Sequence, residues 1–293
     1  MPVGEGLRKK IERQVLSISG LALGGIDFDQ PRGDFGLFGP DTVVWRVHGD
    51  FSSMLCGGVS ALLLQMLHPL ALAGVWDHSN FRSDMLGRLR RTSQFVSGTT
   101  FAPLADAQNL IARVKSIHLQ VTGVDTHGQP YAASDPDLLV WVHVAESYSF
   151  LQSYLRYRNP DLSPADQSQY YREVACVVEG LGGVDVPRSV QEIEDYLQRM
   201  RPQLRCDDRT REVVRLLKSA PAPSKIAVPV GKLMVWSGIE LLPEWAQEEL
   251  GIVLPPLTRR GIDFSMRRVA TLLRWAVRNG SWHRAMRRVG RLP

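Results

Sequence analysis

Three histidines fall where apolar helices carry them. His118 shares a helical face with Ile111, Val114 and Val121. His143 shares one with Leu139, Glu146 and Phe150, and His68 sits at a His-Pro step inside an uncharged stretch. A neutral imidazole on such a helix is a good axial ligand for haem iron, and neighbouring helices supply the apolar walls a porphyrin needs. The competing reading for each is a core histidine bonded to a carbonyl. A di-iron bundle is disfavoured, because no Glu-x-x-His pair occurs.

A second group is Arg88, Arg91, Thr92 and Phe95, spaced i, i+3, i+4 and i+7 on one helix face. Two guanidinium groups and a hydroxyl there can hold propionates or polarise dioxygen. The alternative is a solvated face with arginine stems lying on Phe95. Other signatures are missing: no GxxxxGKS/T phosphate loop, no HExxH zinc helix, no GxSxG elbow and no strand–helix alternation.

The elements that must position these residues read as helices. Phe51 to Trp76 contains no Asp, Glu, Lys or Arg and is long enough to span a membrane. Gly57-Gly58 and His68-Pro69 interrupt it, so two buried helices meeting at Pro69 are expected, with Asp50 capping the first. Further helices are expected over 83–97, 105–122, 136–158, 190–200, 209–218, 228–238 and 264–278, and one starting at Ser163. Gly123 is the expected stop of the 105–122 helix. The stretch 123–134, GVDTHGQPYAAS, reads as a small hairpin. About ten helices and no internal repeat make an all-α chain.

The 293 residues carry 44% hydrophobic and 22% charged residues, which excludes extended disorder and a disulfide scaffold. Cys56, Cys176 and Cys206 are odd in number and far apart, which fits a reducing compartment. The start, MPVGEGLRKKIERQVL, has no compact apolar run, so no secretory signal is expected and the protein reads as cytoplasmic.

The order of the motifs resembles the latex clearing protein and MpaB-like oxygenase family. The residues are Gly49-Asp50, Gln65-Met66-Leu67-His68-Pro69, Arg88-x-x-x-Thr92, His118-x-x-Val121-x-Gly123, Gly128-x-Pro130-Tyr131-x-Ala133-x-Asp135-Pro136 and Leu139-x-Trp141-Val142-His143. The resemblance covers roughly residues 41–157. It implies a single multi-helix, globin-like domain enclosing a b-type haem, with His118 as the proximal iron ligand and Arg88 and Thr92 on the distal side. His68 and His143 are the other candidate cofactor contacts. Rubber-cleaving members place a lysine where this chain has Arg91, and arginine is a poor neutral ligand. They also use a glutamate upstream of the Arg-x-x-x-Thr motif. Here Asp77 and Asp84 are the only acids between Phe51 and Thr92.

The charge is uneven. Residues 259–293 hold ten Arg and one acid, Asp263, for +9, leaving −4 on residues 1–258. The chain therefore divides into a haem-binding oxygenase-like domain, 1–258, and a basic C-terminal helical arm, 259–293. In the arm Met266, Val269, Leu272, Leu273 and Val277 form an apolar stripe, which with the arginines suits peripheral contact with an anionic membrane and not nucleic acid. The expected activity is a haem b-dependent oxygenase acting with dioxygen on an apolar, unsaturated, isoprenoid- or lipid-like substrate. No pattern identifies an electron donor. The rivals are a non-catalytic haem sensor or carrier and a cofactor-free interaction module with a membrane-docking arm.

Overall fold

The uncharged stretch forms two helices, α3 (Phe51–Gln65) and α4 (Pro69–His78), bent by 107° at the His-Pro step. Asp50 caps α3 by accepting from the Ser53 amide at 2.9 Å, and Pro69 opens α4 in the first turn, where its missing N–H is harmless. Among the described residues no single helix is long and apolar enough to cross a membrane. The computed structural model describes residues 3–18, 25–220, 224 and 227–293.

Helix α3 is the centre of the fold. It packs along α7 (Pro136–Tyr157) on one side and α11 (Val228–Glu240) on the other. Small residues let the α3 and α7 backbones approach. A side chain at Gly57 would sit 2.9 Å from the Ser149 carbonyl oxygen. Two cross-helix hydrogen bonds fix the register: Ser153 Oγ donates to the Ser53 carbonyl at 2.7 Å, and Trp141 Nε1 to the Gln65 carbonyl at 3.1 Å. Leu63, Leu64, Trp141 and Val144 are almost fully buried here. Each such side chain contributes roughly 1.5–3 kcal/mol.

The remaining helices wrap this pair. They are α1 (Val3–Ile18), α2 (Val43–His48), α5 (Met85–Phe101), α6 (Leu104–His118), α8 (Pro164–Leu181), α9 (Val190–Met200), α10 (Asp208–Lys218), α12 (Glu244–Glu249), α13 (Pro256–Ala276) and α14 (Ser281–Arg288). The only sheet among the described residues is a hairpin, β1 (Thr122–Val124) with β2 (Pro130–Ala132), so the fold is all-α. The fourteen α-helices among the described residues exceed the expected ten because α2, α12 and α14 are too short, and α1 too polar, to show a clear apolar period.

One boundary differs from expectation. Helix α6 ends at His118, not near Thr122, because the Val121 carbonyl accepts from the Ala133 amide and the chain turns into the hairpin. Gly123 serves the hairpin and not a helix stop. Its missing side chain admits the Tyr131 hydroxyl, which lies 2.5 Å from where a Cβ would stand.

The basic segment is tied to the body. Met266, Leu273 and Val277 of the expected outward stripe face inward, against Cys56, Tyr157 and Val15. Arg274 donates to the buried Asp50 carboxylate and to the Tyr157 carbonyl. Arg288, 1% exposed, donates to the carbonyls of Phe28, Asp34 and Phe101. Leu272 of the stripe does point outward, 46% exposed, but it is joined there by a different set: Leu257, Phe264 and Trp275 are 79%, 62% and 42% exposed. The period of 3.6 explains the swap, because α13 has two apolar faces and the core takes the one with the smaller side chains Ala270 and Ala276.

Candidate active site

Five of the six singled-out residues line one cleft. Arg88, Arg91 and Thr92 come from α5, His118 from the last turn of α6 and His143 from α7. The cleft holds about 1510 Å³ of space, its open mouth included. Its walls are largely apolar, with Val114, Val142, Val177 and Leu181 among them. His68 lies elsewhere. It occupies the N-cap position of α4 and packs on Trp141, ring centroids 6.0 Å apart, outside the cleft lining.

Helix α5 is phased by its cap. The Asp84 carboxylate accepts from the Gly87 amide at 2.8 Å and starts the helix, which turns Arg88, Arg91, Thr92 and Phe95 toward the cleft. Arg88 Nη1 donates to Ser79 Oγ at 3.2 Å, which steadies the guanidinium. Burial brings Arg88 down to about 10, against the opposing pull of Glu146. Arg91 is more exposed and makes only a 3.8 Å ion pair with Asp84, an interaction worth little in water.

The histidines differ in how their ring nitrogens are satisfied. His48, a half-buried histidine beside the cleft, has Nδ1 2.8 Å from Thr100 Oγ1 and Nε2 2.9 Å from Tyr170 Oη. It is a core histidine with both nitrogens occupied. His118 Nδ1 and His143 Nε2 are instead buried without a hydrogen-bond partner among the described residues. Burial lowers the pKa of His118 and takes His143 down to about 4. Both rings are therefore neutral at pH 7 and keep a lone pair free, the state a metal ligand needs. A buried polar atom left unpaired is destabilising and calls for a partner. His68 Nδ1 is unpaired too, so what sets His118 and His143 apart is that both line the same apolar cleft. The chemistry of this donor set fits a haem. One imidazole suffices because the porphyrin brings its own four nitrogens, and apolar walls suit its faces. Among the described residues no cluster of three or more His, Cys, Asp or Glu is placed to hold a bare ion.

Sequence reasoning passed over Glu146. It lines the cleft one turn beyond His143 on α7, and burial lifts it to about 7 while Arg88 pulls the other way. The signal was present in the shared face of Leu139, His143 and Glu146. The two acids upstream of the Arg-x-x-x-Thr motif serve the fold. Asp77 accepts from the Tyr131 hydroxyl at 2.8 Å, and Asp84 is the α5 cap. Glu146 is the one carboxylate among the described residues lining the cleft.

The arrangement joins an apolar chamber, two neutral imidazoles with free nitrogens, a positive wall and a carboxyl group that titrates near neutrality. No curated protein and no solved structure matches the chain. The family described as ER-bound oxygenase mpaB/B′/rubber oxygenase, catalytic domain, matches residues 45–275, which spans every cleft residue named above. The chain belongs to this mpaB/rubber oxygenase catalytic-domain family.

Proposed function

We propose that the protein is a haem b-dependent oxygenase that uses dioxygen on an apolar, unsaturated substrate of isoprenoid or lipid-like character. The observation that carries this reading is the pair of buried, unpartnered imidazole nitrogens in one apolar cleft of an oxygenase-family chain. His118 is the residue that would hold the iron. A haem bound there would supply the redox chemistry that activates dioxygen, which is a property of the cofactor.

The chain's own groups do the rest. The valine and leucine walls exclude water and bind an apolar chain. Arg88, held by Ser79, and the Thr92 hydroxyl set positive charge and a donor on the α5 wall, where they favour negative charge developing in the cleft. Arg91 adds a second charge at the exposed edge. Glu146 holds a proton near neutral pH and can give it up or take it back. Rubber-cleaving members place a lysine where Arg91 stands, and arginine is a poor neutral ligand, so iron ligation by that side chain is not part of this reading.

A non-catalytic haem carrier is the second reading, favoured by the second imidazole, His143, in the same cleft. Oxygen uptake separates the two. Haemin-loaded protein given a polyunsaturated isoprenoid should consume dioxygen and release carbonyl products, and no uptake with any unsaturated chain would support the carrier.

The outward face of α13 supports peripheral membrane contact as part of the same reading. Leu257, Phe264, Arg268 and Trp275 follow at offsets of 7, 4 and 7 and share one face, with Arg260 and Arg267 beside them. The Arg268 guanidinium lies 5.1 Å from the Phe264 ring centroid. Aromatic rings flanked by arginines suit an anionic lipid surface.

A further inference from the structure

Helix α5 is a partition. On the side away from the cleft, Leu86, Leu89, Ser93 and Val96 line two further cavities of about 890 and 1290 Å³, open mouths included. The two share Met54, Leu55, Gly58, Leu89 and Ser93, so they adjoin one another between α3 and α5 and together offer a channel. Its lining reaches from Leu86 to Phe101 along α5, sixteen residues, or about 22 Å of helix from first to last. That is the reach of a long acyl or prenyl chain. At the α10–α11 end the lining changes character, because Lys218, Ser219 and Lys232 stand there. No carboxylate lines either cavity among the described residues.

Lys218 is the telling group. Its ammonium lies 4.6 Å from the Trp236 ring centroid and makes no ion pair among the described residues. Burial lowers its pKa, so the charge is held at some disadvantage. An anion placed beside it would remove that disadvantage, and Lys232 at the same end adds attraction. Apolar walls of chain length closed by two lysines, neither in an ion pair among the described residues, complement one chemical form.

We propose that the channel behind α5 binds a single-chain amphiphile, its tail lying between α3 and α5 and its anionic head group on Lys218 and Lys232. Only Thr92 lines both this channel and the His118 cleft, although a small cavity beside them touches Val96 and Phe150 of the one and His143 and Glu146 of the other. The proposal therefore stands whether or not the cleft holds haem.

The test uses the full chain and three probes: oleate, oleyl alcohol and acetate. Oleate should bind with one site per chain by isothermal titration, at least tenfold tighter than oleyl alcohol, and acetate should not bind measurably. Lys218→Met keeps the stem and removes the charge. It should weaken oleate at least fivefold and leave oleyl alcohol unchanged. Leu89→Trp, which fills the channel, should abolish binding of both chains while haemin uptake stays intact. Ser93→Phe provides a second block should Leu89→Trp fail to fold. Equal affinity for oleate and oleyl alcohol would overturn the head-group assignment, and so would an unaffected Lys218→Met. No chain binding at all, or oleate that competes with haemin, would overturn the channel.

Discussion

Arg88 and Glu146 bring opposite charges into one cleft, from α5 and α7, without closing an ion pair. Each is held off its ordinary protonation balance by burial, and each partly restrains the other. The guanidinium keeps the carboxyl from rising further, and the carboxyl keeps the guanidinium from falling further. A site arranged in this way has a proton available near pH 7 and a fixed positive charge beside it.

The stability of the unliganded protein should therefore depend on pH through Glu146. Its folded-state pKa, about 7, lies above the ordinary 4.5. Below pH 4.5 both folded and unfolded chains carry the proton and the group is neutral in effect. As pH rises from 4.5 to 7 the unfolded chain loses its proton first, and stability falls by on the order of 3 kcal/mol. Glu146→Gln should melt higher than the parent at pH 8 and almost level with it at pH 4.5. A variant that is equally stabilised at both values would show that Glu146 is not held protonated.

Arg88→Ala should lower oxygen-dependent turnover by roughly a hundredfold, with a smaller loss of haem content. Without the guanidinium the carboxyl rises further, so the acid limb of the turnover profile should move to higher pH. A pH profile that keeps its shape while turnover falls would separate Arg88 from Glu146.

The clamp between α13 and the core makes a stability prediction free of any cofactor. Arg274→Ala leaves the Asp50 carboxylate, whose side chain is 5% exposed, without its cation. Removing one partner of a buried pair costs about 3–5 kcal/mol. Denaturant melts should show that loss, and a loss under 1 kcal/mol would mean that water compensates Asp50.

The outward face of α13 should govern binding to anionic vesicles. Arg260 and Arg268 near such a surface contribute about 1 kcal/mol each, so replacing both by alanine should weaken binding at least tenfold at low salt. Phe264→Glu should do the same with no change in melting temperature, because that ring is 62% exposed. Binding that ignores all three changes would mean that this face is not the contact.

The helices and the cleft were legible in the sequence to different degrees. Val190–Met200 stands where its period places it, because that helix has one apolar face and a Ser189 cap. His118 was legible as a cleft residue, but the end of its helix was not, since the hairpin pairing of Val121 with Ala133 is a long-range choice. The α13 stripe was misjudged for a physical reason. Two apolar faces satisfy the same period, and only the packing of Met266 against the α3 side of the core chooses between them. His68 reads like the other histidines along the chain, yet the 107° bend at Pro69 carries it onto Trp141 and away from the cleft lining. Glu146 was visible beside His143, but its meaning depends on Arg88, a residue 58 positions earlier that only the fold brings near.

If the cleft is a haem site with His118 as the iron ligand, an absorption titration with haemin shows it. The parent chain should take up one haemin with a sharpened, shifted Soret band, and His118→Ala should lose that band while keeping its helical circular dichroism. His143→Ala should keep the haem. A His118→Ala variant that binds haemin with an unchanged Soret band, or a parent chain that binds none, would contradict the account.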